Sequence, residues 1–283
     1  MHRGEIPMVS VCIPVYRGVA HLSQAIDSIL AQDFTDFELL IIDDHSPDDI
    51  AGIVNRYQDT RIHFLSNPEN LGAEGNWNRC LKEARGRYFK LMPMDDLLTP
   101  DCLEKQVRVL EQDIEQRIAL VFCARSIIDA EGHVLMKRAY PRGKIGSISG
   151  MTLIRHCLQR GTNLIGEPAA VMLRRSLAYE VGLFDADVPY VIDLDYWFRL
   201  LLRGDAYYLP EILASFRVSR GSWSVQIGTR QGSEFRRFIA KIAQNPVFQI
   251  KTIDVIAGNT MAYLNAFLRV IIYRFVIKKE AER

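Results

Sequence analysis

Two acidic pairs, far apart in the chain, each follow a short apolar run. Residues 37–42 (FELLII) lead into Asp43-Asp44-His45-Ser46, and residues 88–92 lead into Pro93-Met94-Asp95-Asp96. A third run, residues 9–15 (VSVCIPV), closes on Pro14-Val15 and is followed by Tyr16-Arg17. Carboxylates packed together repel, so two such pairs on one rim imply a cation or polar ligand that offsets them. Oxygen-only donors suit Mg²⁺ or Mn²⁺, which keep waters and bridge to substrate phosphates. No glycine-rich loop opens a helix, so neither a P-loop nor a dinucleotide fingerprint is present. A metal clamp on a diphosphate is the chemistry this pattern suits. Each pair alone has a plainer reading. Asp43-Asp44 lies just ahead of a helix start and would favour its N-terminus, and Asp95-Asp96 would make a solvated turn.

The elements that must position these acids are legible from periodicity. Residues 9–15, 37–42, 61–65, 88–92 and 119–123 read as strands. Residues 19–31, the segment opened by Ser46-Pro47-Asp48, residues 76–85 and the segment opened by Pro100 read as helices between them. Strands alternating with helices predict an α/β fold: a mostly parallel, Rossmann-like sheet covered on both faces. Ligands of such sheets bind beyond the carboxyl ends of the strands, where all three acidic or polar segments fall. The second half is less regular. It predicts a hairpin over 126–136 turning at 129–132, a helix at 151–160, strands at 169–173 and 212–218, and a helix at 194–202. Two helices, 230–243 and about 250–279, follow with no strand between them. The expected organisation is a catalytic domain over 1–225 and a helical extension over 226–283.

The segments VSVCIPVYRG, FELLIIDDHSPDD, NLGAEGNWNRCLKEARGRYFKLMPMDD and LLTPDCLEKQV together resemble a family 2 glycosyltransferase of the GT-A fold, over roughly residues 8–225. The resemblance implies that Pro14 and Tyr16 hold the nucleotide base and that Asp44 accepts a hydrogen bond from its imide, which favours uracil or thymine. It implies that Asp95 meets the ribose or diphosphate and that Asp96 ligates Mg²⁺ or Mn²⁺. Asn70, Gly72 and Asn78 match a loop and helix start beside the nucleotide. The segment Asp193-Leu194-Asp195-Tyr196-Trp197-Phe198-Arg199 is similar to the family's Glu-Asp-x-Asp-x-Trp-x-Arg, which implies Asp193 as catalytic base, with Asp195 as the alternative. As a helix cap, Asp193 would stay ionised. Three positions depart from the family: Pro93, Ile192 and Ser219 stand where relatives carry Asp, Glu and His. Arg217 or Arg220 could neutralise the diphosphate, but a surface arginine is the simpler reading. Trp223 would either cover the donor or anchor the C-terminal helices.

The implied activity is inverting transfer of a sugar from a UDP- or dTDP-sugar to a hydroxyl of a glycan or lipid-linked acceptor, in surface polysaccharide synthesis. The alternative is a catalytically impaired relative that binds a sugar nucleotide or glycan. Composition sets outer limits. The chain has 283 residues, 35 Lys plus Arg against 34 Asp plus Glu, and 48% hydrophobic residues. That excludes a disordered chain and a surface built for nucleic acid. Five scattered cysteines without a CxxC spacing read as reduced thiols of a cytoplasmic protein. No run reaches the ~20 apolar residues of a membrane span. Residues 251–283 hold six basic and three acidic residues among many apolar ones. That segment would lie peripherally on the inner face of a membrane, or pack on the catalytic domain or a second subunit.

Overall fold

The computed structural model describes residues 6–141, 143–219, 227 and 230–281. Arg220, Trp223 and the expected boundary at 225 lie outside the described residues. Strands β1 (Val9–Val15), β2 (Phe37–Asp43), β3 (Ile62–Ser66) and β4 (Tyr88–Leu91) run parallel in the order β3-β2-β1-β4. Their residues alternate between two cores. Val9, Val11 and Ile13 face α1 (Leu22–Leu30) and α4 (Cys102–Gln112), while Cys12, Leu40 and Ile42 face α3 (Gly72–Glu83). Both sheet faces are therefore buried, which is why these strands read as continuous apolar runs. The helix expected after Ser46 is the short α2 (Ile50–Val54), capped by Asp49, whose Oδ1 accepts from the Gly52 amide at 2.8 Å.

The sheet continues β4-β9-β6-β10-β5. β6 (Ile118–Ile128) and β10 (Asp205–Arg217) are parallel, and β9 (Val171–Arg174) lies antiparallel between β4 and β6. Six of the ten described strands thus point the same way. The hairpin forms as expected, from β6 to β7 (Val134–Arg138). Pro168–Ala170 is a 3₁₀ turn rather than the start of β9. β10 begins seven residues before the expected position (205 against 212). Pro210 hides it: proline cannot donate to the ladder, and it sits where the pairing with β6 shifts between Leu209 and Ile212. The short strands β5 (Leu97–Leu98) and β8 (Gly146–Ile148) carried no sequence signal.

Helices α5 (Gly150–Arg160), α6 (Arg175–Glu180) and α7 (Ile192–Leu201) cover the second half of the sheet. The C-terminal helices α8 (Arg230–Gln244) and α9 (Thr252–Ala281) dock there too. Phe235, Phe238, Ile239 and Ala262 join the same core as Trp197 and Phe198. Small residues permit the approach. A Cβ at Gly258 would lie 2.4 Å from the Leu158 carbonyl oxygen, and one at Gly161 (φ +58°) 2.4 Å from the Ala262 nitrogen. The opposite face of α9 exposes Ile253, Ile256, Tyr263, Leu264 and Phe267. Among the described residues, no helix is long and apolar enough to cross a membrane. The five cysteines are buried and free.

Candidate active site

The register between β1 and β2 sets Val15 opposite Asp43, and β4 ends at Leu91, opposite Cys12. The carboxyl ends of all three strands therefore reach one rim, where a cavity of about 590 Å³ opens. That size suits a small-molecule ligand. Pro14, Tyr16, Asp44 and Asp95 line it, as does Asp193.

Asp44 is only 2% exposed. Its Oδ1 accepts from Asn67 Nδ2 at 2.5 Å and from the Leu71 amide at 2.8 Å, and Asn70 Nδ2 donates to its carbonyl at 3.0 Å. The carboxylate thus shapes the loop before α3. Gly72 turns that loop with φ +73°, a conformation that favours glycine. Asn76, on the first turns of α3, lines the cavity and donates to the Ile42 carbonyl at 3.0 Å. Asn78 does not line it. Its amide faces the other way, donating to the Phe184 carbonyl at 3.1 Å and accepting from the Phe184 amide at 2.8 Å. The expectation for Asn78 is therefore corrected: it pins α3 to the 184 loop, and Asn76 takes the cavity position.

Asp95 faces the cavity, and Asp96 sits behind it, fully enclosed. Asp96 Oδ1 accepts from the Arg217 amide at 3.0 Å, while Oδ2 is buried without a hydrogen-bond partner. Burial, followed by the adjacent Asp95 charge, pushes the Asp96 carboxyl well above its ordinary range. Burial also raises Asp95. The Arg217 guanidinium beside these acids is committed to carbonyls and to Gln24, so the orphaned carboxylate oxygen of Asp96 next to Asp95 fits a hard divalent cation, which would supply the missing partner.

Arg217 is not a surface residue. It is completely buried, and its guanidinium donates to the carbonyls of Asp95 (2.8 Å), Asp129 (3.1 Å) and Ala130 (2.6 Å) and to Gln24 Oε1 (2.7 Å). It ties the acidic loop to the β6–β7 hairpin. That hairpin carries Asp129, Glu131 and His133, whose ligand atoms lie within 4.8 Å of one another. Neither the hairpin's acidic group nor Arg217's burial was signalled by sequence. Ser219 is half-buried.

Across the cavity, Asp193 occupies the first turn of α7. Its Oδ1 accepts from the Leu194 amide at 2.7 Å and its Oδ2 from Asn163 Nδ2 at 2.9 Å. Asn163 is itself held by the 163–166 turn, its Oδ1 accepting from the Ile165 and Gly166 amides at 3.0 and 2.9 Å. Trp197 Nε1 donates to the Gly166 carbonyl at 3.3 Å, which fixes the turn against α7. Burial, then the charge of Glu167, pushes the Asp193 carboxyl up to about 7, against the pull of the helix amides. The expectation that the helix N-terminus keeps it in the ordinary ionised range is corrected: desolvation outweighs the dipole. Glu167 is half-buried, but Arg125, its ion-pair partner, and Arg138 outweigh its desolvation and hold its carboxyl low. Asp195 points elsewhere, to Arg199 Nε at 2.9 Å and Lys241 Nζ at 3.3 Å, and does not line the cavity.

The wall beyond Asp193 comes from residues the sequence reading did not single out: Thr162, Tyr190, Phe235 and Arg269. Two of these belong to the C-terminal helices α8 and α9.

The profile of Glycosyl transferase family 2 matches residues 10–181. An uncharacterised protein of Mycobacterium tuberculosis is 34% identical over 214 residues, which is 74% of this chain and 66% of that protein. A putative teichuronic acid biosynthesis glycosyltransferase of Bacillus subtilis, TuaG, is 31% identical over 222 residues, covering 77% of this chain and 82% of that protein. The solved mannosyltransferase of Pyrobaculum calidifontis, in complex with GDP-Man and Mn²⁺, superposes with TM-score 0.67 at 18% identity, over 93% of this chain and 74% of that one. S. aureus TarS in complex with UDP superposes with TM-score 0.64 at 16% identity, over 92% of this chain and 70% of that one. The fold is the GT-A arrangement of these glycosyltransferases.

Proposed function

The chain belongs to glycosyl transferase family 2, and on that premise we propose that it transfers a sugar from a nucleoside diphosphate donor to an acceptor hydroxyl, with inversion, using Asp193 as base. The observation that carries this reading is the Asp193–Asn163 pair. It holds a carboxylate on the cavity wall, with its proton affinity near neutrality, facing the wall built from Pro14, Tyr16, Asp44 and Asp95. A general base works best with a pKa near the operating pH.

Asp44 has one oxygen committed to Asn67 and Leu71, and among the described residues no donor is bonded to the other. That free oxygen suits the N3–H of uracil or thymine, and Tyr16 and Pro14 offer apolar surface to the ring. TarS is solved with UDP, which supports a uridine donor here. Asp95 lies where the ribose and diphosphate would continue. Asp96, with its unpartnered oxygen, and Asp95 would hold Mg²⁺ or Mn²⁺. Such a cation stabilises the negative charge that grows on the departing nucleoside diphosphate.

In the transfer step, the acceptor hydroxyl gives its proton to Asp193 as its oxygen bonds to the anomeric carbon. The bond to the diphosphate oxygen breaks on the opposite face, so the anomeric configuration inverts. Asn163 keeps the accepting oxygen in place. The acceptor is a glycan or a lipid-linked glycan of surface polysaccharide synthesis, a reading supported by the name of the TuaG relative. The enzyme acts in the cytoplasm, with the exposed apolar face of α9 resting on the inner face of the membrane.

Asp193→Asn tests the reading. The variant loses transfer and donor turnover while UDP still binds in calorimetry. Transfer at the wild-type rate overturns the assignment. A wild-type protein that binds UDP-sugars and turns none over supports the binding-module alternative instead.

A further inference from the structure

Helix α9 crosses α5 where Gly258 and Gly161 leave no room for a side chain. About two turns beyond Gly258, Asn265 Nδ2 donates to the Arg160 carbonyl at 2.6 Å and to the Gly161 carbonyl at 3.2 Å, which fixes the rotation of the helix. The next turn then presents Arg269 to the cavity rather than to solvent. Its guanidinium is half-buried and has three oxygen partners: Tyr190 Oη, Gln231 Oε1 at 3.1 Å and Thr162 Oγ1 at 2.5 Å. Tyr190 also donates to Gln231 Oε1 at 3.0 Å, and Gln231 is 1% exposed. All three partners are neutral, and among the described residues no carboxylate is paired with Arg269. Among the described residues, a full positive charge is thus built into the cavity wall without a paired counter-charge.

A cation held in a partly desolvated wall by neutral oxygens attracts an anion more strongly than one in open water. Position decides which anion. Thr162 precedes Asn163, the residue that holds Asp193, and Tyr190 lies three residues before Asp193 on the same wall. The nucleotide-side residues Pro14, Tyr16, Asp44 and Asp95 belong to other strand ends. The side next to the base is the side from which an attacking hydroxyl arrives.

We propose that Arg269, set by Tyr190, Gln231 and Thr162, forms an anion subsite for the acceptor, so that the preferred acceptor carries a phosphate or carboxylate near the hydroxyl that reacts. This rests on the reading of Asp193 as base. It adds that the C-terminal helix sets acceptor selectivity.

The test titrates protein loaded with UDP and Mn²⁺ with glycerol 3-phosphate, glucuronate and glucose. These probes separate a phosphate from a carboxylate source and both from a neutral polyol. At least one anion binds about tenfold or more tightly than glucose. Arg269→Gln removes that preference, Arg269→Lys keeps part of it, and UDP affinity is the same in all three proteins. Equal binding of the three probes to wild type, or a preference that survives Arg269→Gln, overturns the proposal. A parallel fall in UDP affinity also overturns it, because the cation would then serve the donor. Retained transfer by Asp193→Asn would remove the base assignment and leave the titration result standing, so the two failures are distinguishable.

Discussion

Asn163 donates its side-chain amide to Asp193 Oδ2 at 2.9 Å, while its own oxygen is locked by the Ile165 and Gly166 amides. The donor end of Asn163 cannot flip away without breaking two backbone hydrogen bonds. Asp193 is therefore aimed by a residue thirty positions earlier in the chain.

That relationship makes Asn163 a positioning residue. A donor to the ionised carboxylate lowers its pKa, so its removal raises Asp193 further. Asn163→Ala should cut kcat at pH 7 by about ten-fold or more and move the rising limb of the pH–rate profile to higher pH. UDP affinity should stay within about twofold of wild type by calorimetry. An unchanged pH profile would mean that Asn163 only supports the turn.

The raised Asp193 pKa predicts its own pH dependence. Transfer needs the ionised base, so kcat/KM rises as pH increases through about 7. The linkage to stability has the opposite sign. The unfolded carboxyl titrates near ~3.9. Between that value and about 7 the folded protein holds a proton that the unfolded chain has released, so this group's contribution to stability falls as pH rises and levels off above 7. Asp193→Asn carries no such charge. It should melt above wild type at pH 8, with the gap shrinking toward pH 5, as thermal scans across that range would show.

Asp96 offers a buried oxygen with no partner. Asp96→Asn keeps the shape and removes the charge. Calorimetry with and without Mn²⁺ should show metal-dependent UDP binding in wild type and its loss in the variant. Metal-dependent binding of equal strength in both would remove Asp96 from the metal site.

The seating of α9 depends on Gly258. A β-branched side chain there meets the Leu158 carbonyl and Ile239. Gly258→Val should lower stability by about 1–3 kcal/mol, the usual cost of overpacking. Because it displaces the helix that carries Arg269, it should also weaken the preference for an anionic acceptor, and Gly258→Ala should do both to a smaller extent. Denaturant unfolding and the anion titration read the two effects separately.

Much of the catalytic half was legible from residue order alone. Continuous apolar runs at residues 9–15 and 37–42 marked strands buried on both faces, and in a parallel sheet their carboxyl ends must share a rim. That placed Pro14, Tyr16, Asp44 and Asp95 on the cavity before any coordinates, and the structure finds them there. What sequence could not supply was rotation about a helix. Asn76 and Asn78 stand two residues apart, about 200° around α3, so one faces the cavity and the other faces Phe184. Asp193 and Asp195 are related in the same way on α7. Which member faces inward depends on how each helix packs against the sheet, and neighbours in sequence do not record that.

Distance along the chain hid the rest. Arg217 looked like a surface arginine, yet it is fully buried because the carbonyls that satisfy it come from the 95 and 129–130 segments. Arg269 lies in a segment whose composition suggested a basic helix, either lying on a membrane or packed on the catalytic domain or a second subunit, with no sign of which residues would face the cavity. By itself the sequence determined the alternating sheet, the acids on its rim and the helical character of the last residues. Tertiary structure alone decided that α9 docks through glycine contacts with α5 and lends a cation to the cavity. Close backbone approach is a property of two surfaces meeting, so neither segment displays it alone.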